Sequence, residues 1–152
     1  MHTSALAVLL AATATVVQAA EPQASMIEYV DSSVRVWFDD PAVQAAIRES
    51  NAAHAGLSED QILELDSLWR GEIGRQSTPT VTPVAGSAVS DLLREHVHAS
   101  EGTISEIILM DNRGLNVAVS AVTSDFWQGD EAKFFETYPK GAEAVHFGDI
   151  EL

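Results

Sequence analysis

The densest group of side chains suited to binding lies at residues 123–131, which read TSDFWQGDE. Three carboxylates, an amide, two hydroxyls and two large aromatic rings stand there beside one glycine. Small-molecule pockets combine flat apolar walls with a few placed polar atoms, so this composition predicts a ligand-binding loop. The alternative is that Phe126 and Trp127 cover the core while the carboxylates face water or cap the following helix.

Other chemistries lack the residues or the spacing they need. The chain has no cysteine and no G-x-S-x-G segment, which excludes thiol catalysis, disulfides and a nucleophile elbow. His96 and His98 lie two apart on a predicted helix, on different sides, and no zinc or calcium spacing is present. We therefore expect a protein that is not an enzyme and that has no metal and no cofactor.

The charge balance restricts the partners. The chain carries 23 acidic against 8 basic residues, a net charge of −15. Such a surface repels the phosphates of nucleic acids and of anionic lipids. An anionic ligand would need local arginine or lysine against this field, so the composition favours a cationic or zwitterionic ligand.

Residues 1–19 predict a secretory signal peptide. Residues 5–17 are apolar apart from two threonines and are too short to span a bilayer comfortably. Val17 and Ala19 are small residues suited to cleavage before Ala20, with a retained anchor as the alternative. We expect the remainder, residues 20–152, to be one exported domain, periplasmic or secreted, that does not insert into the membrane.

The loop must be positioned by helices and a hairpin. Apolar residues recur at helical spacing over 27–54, where Pro41 predicts either two helices or one kinked helix. Ser58 and Gln61 predict a capping box at the start of the next helix. Further predicted elements are a helix at 84–99, strands at 104–110 and 115–120 that form a hairpin, and a last strand at 144–152. This order indicates an α+β domain with an antiparallel sheet.

The hairpin and the loop carry a resemblance to a known family. Residues 110–117 read MDNRGLNV, and with TSDFWQGDE they form an Asp-x-x-Gly hairpin followed by Thr-Ser-Asp-aromatic-aromatic-Gln-Gly-Asp-Glu. This pattern closely resembles the Cache (PDC-like) extracytoplasmic sensor domains, in particular small exported proteins that consist of one such domain. Residues 34–51 are compatible with the long N-terminal helix of that family.

The resemblance implies a curved antiparallel sheet flanked by a long N-terminal helix and further helices, with a ligand pocket on one sheet face. We expect the last strands of that fold to be missing here, so that the domain is short at its C-terminus. The implied function is non-catalytic binding of an amino acid, an amine or a carboxylate, feeding a membrane sensor kinase or two-component system. The implied ligand-binding residues are Arg113, Asp125, Phe126, Trp127, Gln128 and Asp130.

A protein of a different class is the alternative. Three strands make a thin sheet, and the last would leave an unprotected edge. Such an edge can pair with a strand of another chain, including a second copy in a homodimer. The chain would then be a structural or interaction protein with no ligand.

Overall fold

The computed structural model describes residues 20–148, so the predicted signal peptide at 1–19 and residues 149–152 lie outside the described residues. The chain is mixed helix and sheet. Within the described part, every helix is too short or too polar to span a lipid bilayer. The elements in chain order are α1 (Ala20–Tyr29), a π-helical turn (Val30–Val34), a 3₁₀ turn (Arg35–Asp39), α2 (Pro41–His54), α3 (Glu59–Glu72), α4 (Val81–Ala85), α5 (Ala88–Ala99), β1 (Ile108–Met110), β2 (Asn116–Val119), α6 (Ala132–Phe135) and a last 3₁₀ turn (Tyr138–Lys140).

The first predicted helical region is interrupted before Pro41, as the sequence indicated. Asp40 has extended backbone angles, and its side chain accepts a hydrogen bond from the Ala42 amide at 2.7 Å. Pro41 has no amide hydrogen and therefore fits the first position of α2, where no intrahelical partner exists for one. The π-helical and 3₁₀ turns separate α1 from α2, so the region is more than one helix.

The helix starts follow their caps. The Ser58 hydroxyl accepts from the Gln61 amide at 3.3 Å, and the Gln61 side chain accepts from the Ser58 amide at 2.9 Å, which confirms the predicted capping box. The single helix predicted at 84–99 is wrong, because α4 ends at Ala85 and α5 begins anew at Ala88. The Ser87 hydroxyl caps α5 by accepting from the Ser90 amide at 3.1 Å.

β1 and β2 form the predicted antiparallel hairpin, with Leu109 opposite Ala118 and an irregularity after Leu109. Both strands are shorter than predicted, since regular pairing covers only three residues of β1 and four of β2. The strand predicted at 144–152 is not found at 144–148, and its last four residues lie outside the described residues.

Two apolar clusters form the core. The first lies where α2 and α5 pack on the hairpin, and the second lies where α3 and α4 meet β2 and the loop after it. Burial of apolar surface is the main force that holds both together. The buried members are Val43, Val89, Leu93, Leu109 and Ala118 in the first cluster, and Ile62, Trp69, Val81, Leu115 and Phe126 in the second.

Candidate functional site

A buried carboxylate on α3 holds the middle of the loop 123–131. Asp66 is only 6% exposed, and its Oδ1 accepts hydrogen bonds from the amides of Phe126 at 2.8 Å and Trp127 at 3.1 Å. Its Oδ2 lies 2.8 Å from Nε of Arg70, one helical turn further along. The negative charge of Asp66 is therefore paired while its oxygens fix the loop backbone.

A tryptophan on the same helix anchors the beginning of the loop. Trp69 is fully buried, and its Nε1 donates to the carbonyl of Thr123 at 2.9 Å. The Trp69 ring stacks on Phe126 with centroids 5.3 Å apart and an interplanar angle of 20°. Phe126 thus packs in the second apolar cluster, as the alternative interpretation described, and its contact with a ligand stays a prediction.

The other side of the loop is fixed by β2. The Asn116 amide donates to the carbonyl of Phe126 at 3.0 Å. The Asn116 side chain donates from Nδ2 to the Thr123 hydroxyl at 2.8 Å and to the Asp125 carbonyl at 3.0 Å. These bonds connect the loop to the edge of β2 that does not face β1.

Two glycines allow the loop to approach the hairpin turn. Gly114 has a φ of 79°, and a Cβ there would lie 2.6 Å from the Cα of Gly129. A Cβ on Gly129 would lie 2.2 Å from Nε1 of Trp127, which donates to the carbonyl of Arg113 at 2.8 Å. The backbone amide of Gln128 also contacts the turn, donating to the Gly114 carbonyl at 2.7 Å.

A cavity of about 270 Å³ lies beside this anchored loop, between the loop and the residues that lead into β1. Its walls are mostly polar and hold three carboxylates against one ammonium group. The lining residues are Glu106, Ile108, Val122, Thr123, Ser124, Asp125, Gln128, Glu131 and Lys133.

Acceptor atoms at this cavity are only partly used by the protein itself. Asp125 Oδ1 accepts from Gln128 Nε2 at 2.5 Å, and Asp125 Oδ2 lies 3.6 Å from Nη2 of Arg70. Gln128 is 1% exposed, and its Nε2 also donates to the Asp125 carbonyl at 3.2 Å. The ammonium of Lys133 lies 2.9 Å from Glu131. The cavity therefore offers acceptors, and its one cation already has a partner.

The carboxylates around the cavity do not converge on one point. Among the described residues, no three His, Cys, Asp or Glu side chains are arranged to hold a metal ion. A divalent ion needs several oxygen ligands, each about 2.0–2.6 Å from the metal, so the oxygens must lie close to one another. An organic cation does not require oxygen ligands at such short distances, because carboxylates that lie further apart can interact with its charge.

The six predicted ligand-binding residues separate in space. Asp125 and Gln128 line the cavity, whereas the other four lie outside its lining. Trp127 is half-buried against the second apolar cluster, and Asp130 is exposed on the loop surface. The binding roles of these residues stay predictions.

The guanidinium of Arg113 is directed to the end of α2 instead. Its Nη2 donates to the carbonyl of Leu57 at 3.2 Å, and its Nη1 lies 3.5 Å from the carbonyl of His54. Carbonyls at the C-terminal end of a helix lack intrahelical donors, so a cation there is favourable. Arg113 thereby connects the hairpin turn to α2.

The turn itself is organised by a buried aspartate. Asp111, 2% exposed, accepts at Oδ1 from the amides of Arg113 at 2.8 Å and Leu115 at 3.0 Å. Its Oδ2 lies 2.6 Å from Nδ1 of His54 and accepts from the Ser50 hydroxyl at 3.0 Å. The Ser50 hydroxyl lies 3.2 Å from that same Nδ1. A catalytic triad bonds serine and aspartate to opposite ring nitrogens, so this group is not a triad.

Sequence reasoning missed residues on both sides of the loop. Glu106 and Lys133 line the cavity, and both lie outside the predicted binding loop. The period of two along a strand places Glu106 on the same face as Ile108, which was a usable signal. Asp66 stands on the apolar stripe of α3, and a carboxylate at such a position indicates a buried hydrogen-bonding role. No local pattern indicated Lys133.

Comparison with known proteins adds no relative. No protein-family model, curated protein or solved structure matches this chain. The resemblance to Cache domains therefore stays a prediction from the sequence.

Proposed function

We propose that this protein is a non-catalytic small-molecule-binding module of the extracytoplasmic sensor type that its motif resembles. The observation that carries the proposal is the polar cavity beside Asp125 and Gln128. It lies next to the part of the chain from which the sequence predicted binding. Its walls provide hydrogen-bond acceptors on a loop that the rest of the domain holds in place.

The anchoring of the loop supports binding. Asp66 and Trp69 fix its backbone from α3, and Asn116 fixes it from β2. Groups that are already ordered lose little conformational entropy when a ligand arrives, which raises affinity. The polar atoms of Asp125 and Gln128 are therefore presented on a preorganised frame.

The charges at the cavity favour a ligand with an ammonium group, such as an amine or an amino acid. Glu106, Asp125 and Glu131 contribute negative charge. The only lysine in the lining is paired with Glu131 at 2.9 Å, so it is poorly placed to receive a carboxylate. A ligand that is only an anion is thus the least favoured of the three classes considered.

The cellular setting follows from the same proposal. A cleaved signal peptide at residues 1–19 delivers the domain to the periplasm or the exterior. Ligand binding then alters the surface that the domain offers to a membrane sensor kinase or two-component receptor. Such a partner reads a small solute outside the cytoplasm through contact with the exported module.

A thermal-shift screen with amines, amino acids and carboxylates tests the proposal. A ligand that binds only the folded state raises the melting temperature as its concentration exceeds the dissociation constant. We expect an ammonium compound to raise it, and Asp125→Asn to reduce that shift strongly. Asp130→Asn is the matched control, since it neutralises an exposed carboxylate in the same loop outside the cavity lining, and it should keep the shift. No response to any compound, or an equal response in both variants, would contradict the proposal.

A second candidate function is pairing through the sheet edge. β1 has only β2 as a partner, and no other segment among residues 20–148 pairs with its outer edge. An added strand from a second copy or another protein would satisfy that edge. This function predicts concentration-dependent dimers in light scattering together with no response in the ligand screen.

A further inference from the structure

A groove of about 450 Å³ lies at the end of α3, where α4 packs against the residue that follows the hairpin. Its walls are mostly apolar, in contrast to the cavity at Asp125. The lining residues are Glu72, Ile73, Gly74, Thr78, Val81, Thr82, Ala85, Gly86 and Val122.

The one carboxylate in this groove is fully occupied by backbone groups. Glu72 accepts from the Thr80 amide at 2.8 Å and from the Val81 amide at 2.9 Å. Ile73 and Val122, in contrast, are 45% and 51% exposed and leave their side chains on the groove surface. Exposed apolar side chains that share a groove mark a contact site more often than isolated ones do.

The groove and the polar cavity are neighbours. Val122 belongs to the lining of both, so the two sites adjoin at this side chain. On one side of Val122 stand the carboxylates of Asp125 and Glu131, and on the other side stands the apolar surface at Ile73. A ligand that occupied both sites would need a charged end and an apolar end.

We propose that the ligand of this module is an amphipathic cation, with its ammonium group in the polar cavity and its hydrocarbon chain across Val122 in the groove. The inference rests on the proposed function, because it assigns the cavity to the charged end. The charge complementarity of the cavity selects the ammonium, and the presence of Val122 in both linings selects the position of the hydrocarbon chain. Each methylene that enters the groove should raise affinity about fourfold.

Calorimetric titration with linear primary alkylamines, from propylamine to octylamine, tests the inference on the intact protein. We expect the dissociation constant to fall by about fourfold for each methylene once the chain reaches the groove, and to level off when the groove is filled. Linear alcohols of the same lengths should bind far more weakly, because they lack the charge that the cavity selects.

Two matched variants test whether the alkyl chain of the amine binds in the groove. Ile73→Asn places a polar group in the groove and should remove the dependence of affinity on the length of the alkyl chain. Leu63→Asn changes an aliphatic residue of similar exposure, 47%, on α3 outside both linings, and it should leave the dependence intact. Thermal unfolding of both variants without amine verifies that each is folded.

The outcomes separate the two proposals. Amine binding with no dependence on chain length overturns the amphipathic ligand and keeps the binding function of the cavity. No amine binding at any length overturns both for this ligand class. Equal chain-length dependence in Ile73→Asn and the unmodified protein, or alcohols that bind as tightly as amines, shows that the chain binds elsewhere and overturns the inference.

Discussion

The hairpin turn and the loop 123–131 contain similar polar residues but use them differently. In the turn, both oxygens of the buried Asp111 are occupied by groups of the protein, including two amides, a histidine and a serine. In the loop, Asp125 is half-buried at the edge of a cavity, with a hydrogen bond from Gln128 and a longer contact of 3.6 Å to Arg70. The first aspartate therefore belongs to the fold, and we propose that the second binds the ligand.

The motif formed by residues 110–117 and 123–131 contains two kinds of residue. Asp111, Gly114 and Gly129 shape the backbone, and Phe126 fills the core. Asp125 and Gln128 line the cavity. A motif that resembles a binding signature thus contains residues whose replacement should damage stability, together with residues whose replacement should damage binding alone.

Trp69→Ala should have the largest effect, because it removes the anchor of the loop. The ring is fully buried, stacks on Phe126 and donates to the Thr123 carbonyl at 2.9 Å. Replacement of a buried tryptophan by alanine costs about 3–5 kcal/mol of unfolding free energy. Urea denaturation measures the loss. Leu68→Ala, at an exposed position of the same helix, is the control and should cost less than about 1 kcal/mol.

A loss of under about 1 kcal/mol in Trp69→Ala would contradict the anchoring of the loop by α3, because such a value is typical of surface positions. The loop would then be held mainly by β2. In that case the polar atoms at the cavity would depend on Asn116 for their placement.

Asp111→Asn should have the next largest effect. The substitution keeps the shape of the side chain but places an amide donor where Asp111 accepts from Ser50 and contacts His54. Loss of hydrogen bonds to a buried charged group costs about 2 kcal/mol. Urea denaturation measures the change, and Asp130→Asn, an exposed carboxylate, should lie within about 0.5 kcal/mol of the unmodified protein. Equal values for the two variants would show that the turn aspartate is not structural.

Features with local chemical causes could be predicted from the sequence. The capping box depends on Ser58 and Gln61, which are three residues apart, and the helix break depends on the ring of Pro41. The hairpin turn depends on Asp111 and on the positive φ of Gly114, within one short segment. In each case the residues that determine the geometry are neighbours in the chain.

Features that depend on distant residues could not be predicted. The loop is held by Asp66, about sixty positions earlier. The place of Asp66 on the apolar stripe of α3 indicates burial, but no sequence pattern identifies the two backbone amides that it accepts from. The cavity combines Glu106 with Lys133, and their proximity follows only once the hairpin and loop are folded. The length of β1 likewise depends on where its partner strand ends, since pairing and not propensity defines a strand.

The carboxyl of Glu72 predicts a pH-dependent contribution at the groove. Burial alone would raise its pKa, but hydrogen bonds from the backbone of Val81 and Thr80 outweigh burial and hold the pKa below its ordinary value of 4.5. The unfolded chain therefore takes up this proton more readily than the folded chain. The resulting stability is fully present above pH 4.5 and is lost as the pH falls through the folded-state pKa.

Glu72→Gln should remove this contribution. Urea midpoints of the variant should lie below those of the unmodified protein near neutral pH, and the two curves should approach each other in acid. Glu64→Gln, at an exposed position of the same helix, is the control for the loss of one charge. A constant difference between Glu72→Gln and the unmodified protein at every pH would contradict the role of the Glu72 carboxylate as an ionised cap for the residues that begin α4.

Asp125→Asn should have the smallest effect on stability, although it removes the same charge as Asp111→Asn. The carboxylate is half-buried, its contact with Arg70 is 3.6 Å long, and an asparagine oxygen can still accept from Gln128. Exposed or partly exposed ion pairs contribute about 0–1 kcal/mol, so we expect a loss of no more than about 0.5 kcal/mol in urea denaturation. If Asp125→Asn instead lowers the unfolding free energy as much as Asp111→Asn, both aspartates contribute equally to stability. The distinction between a turn that serves the fold and a loop that serves a ligand would then be wrong.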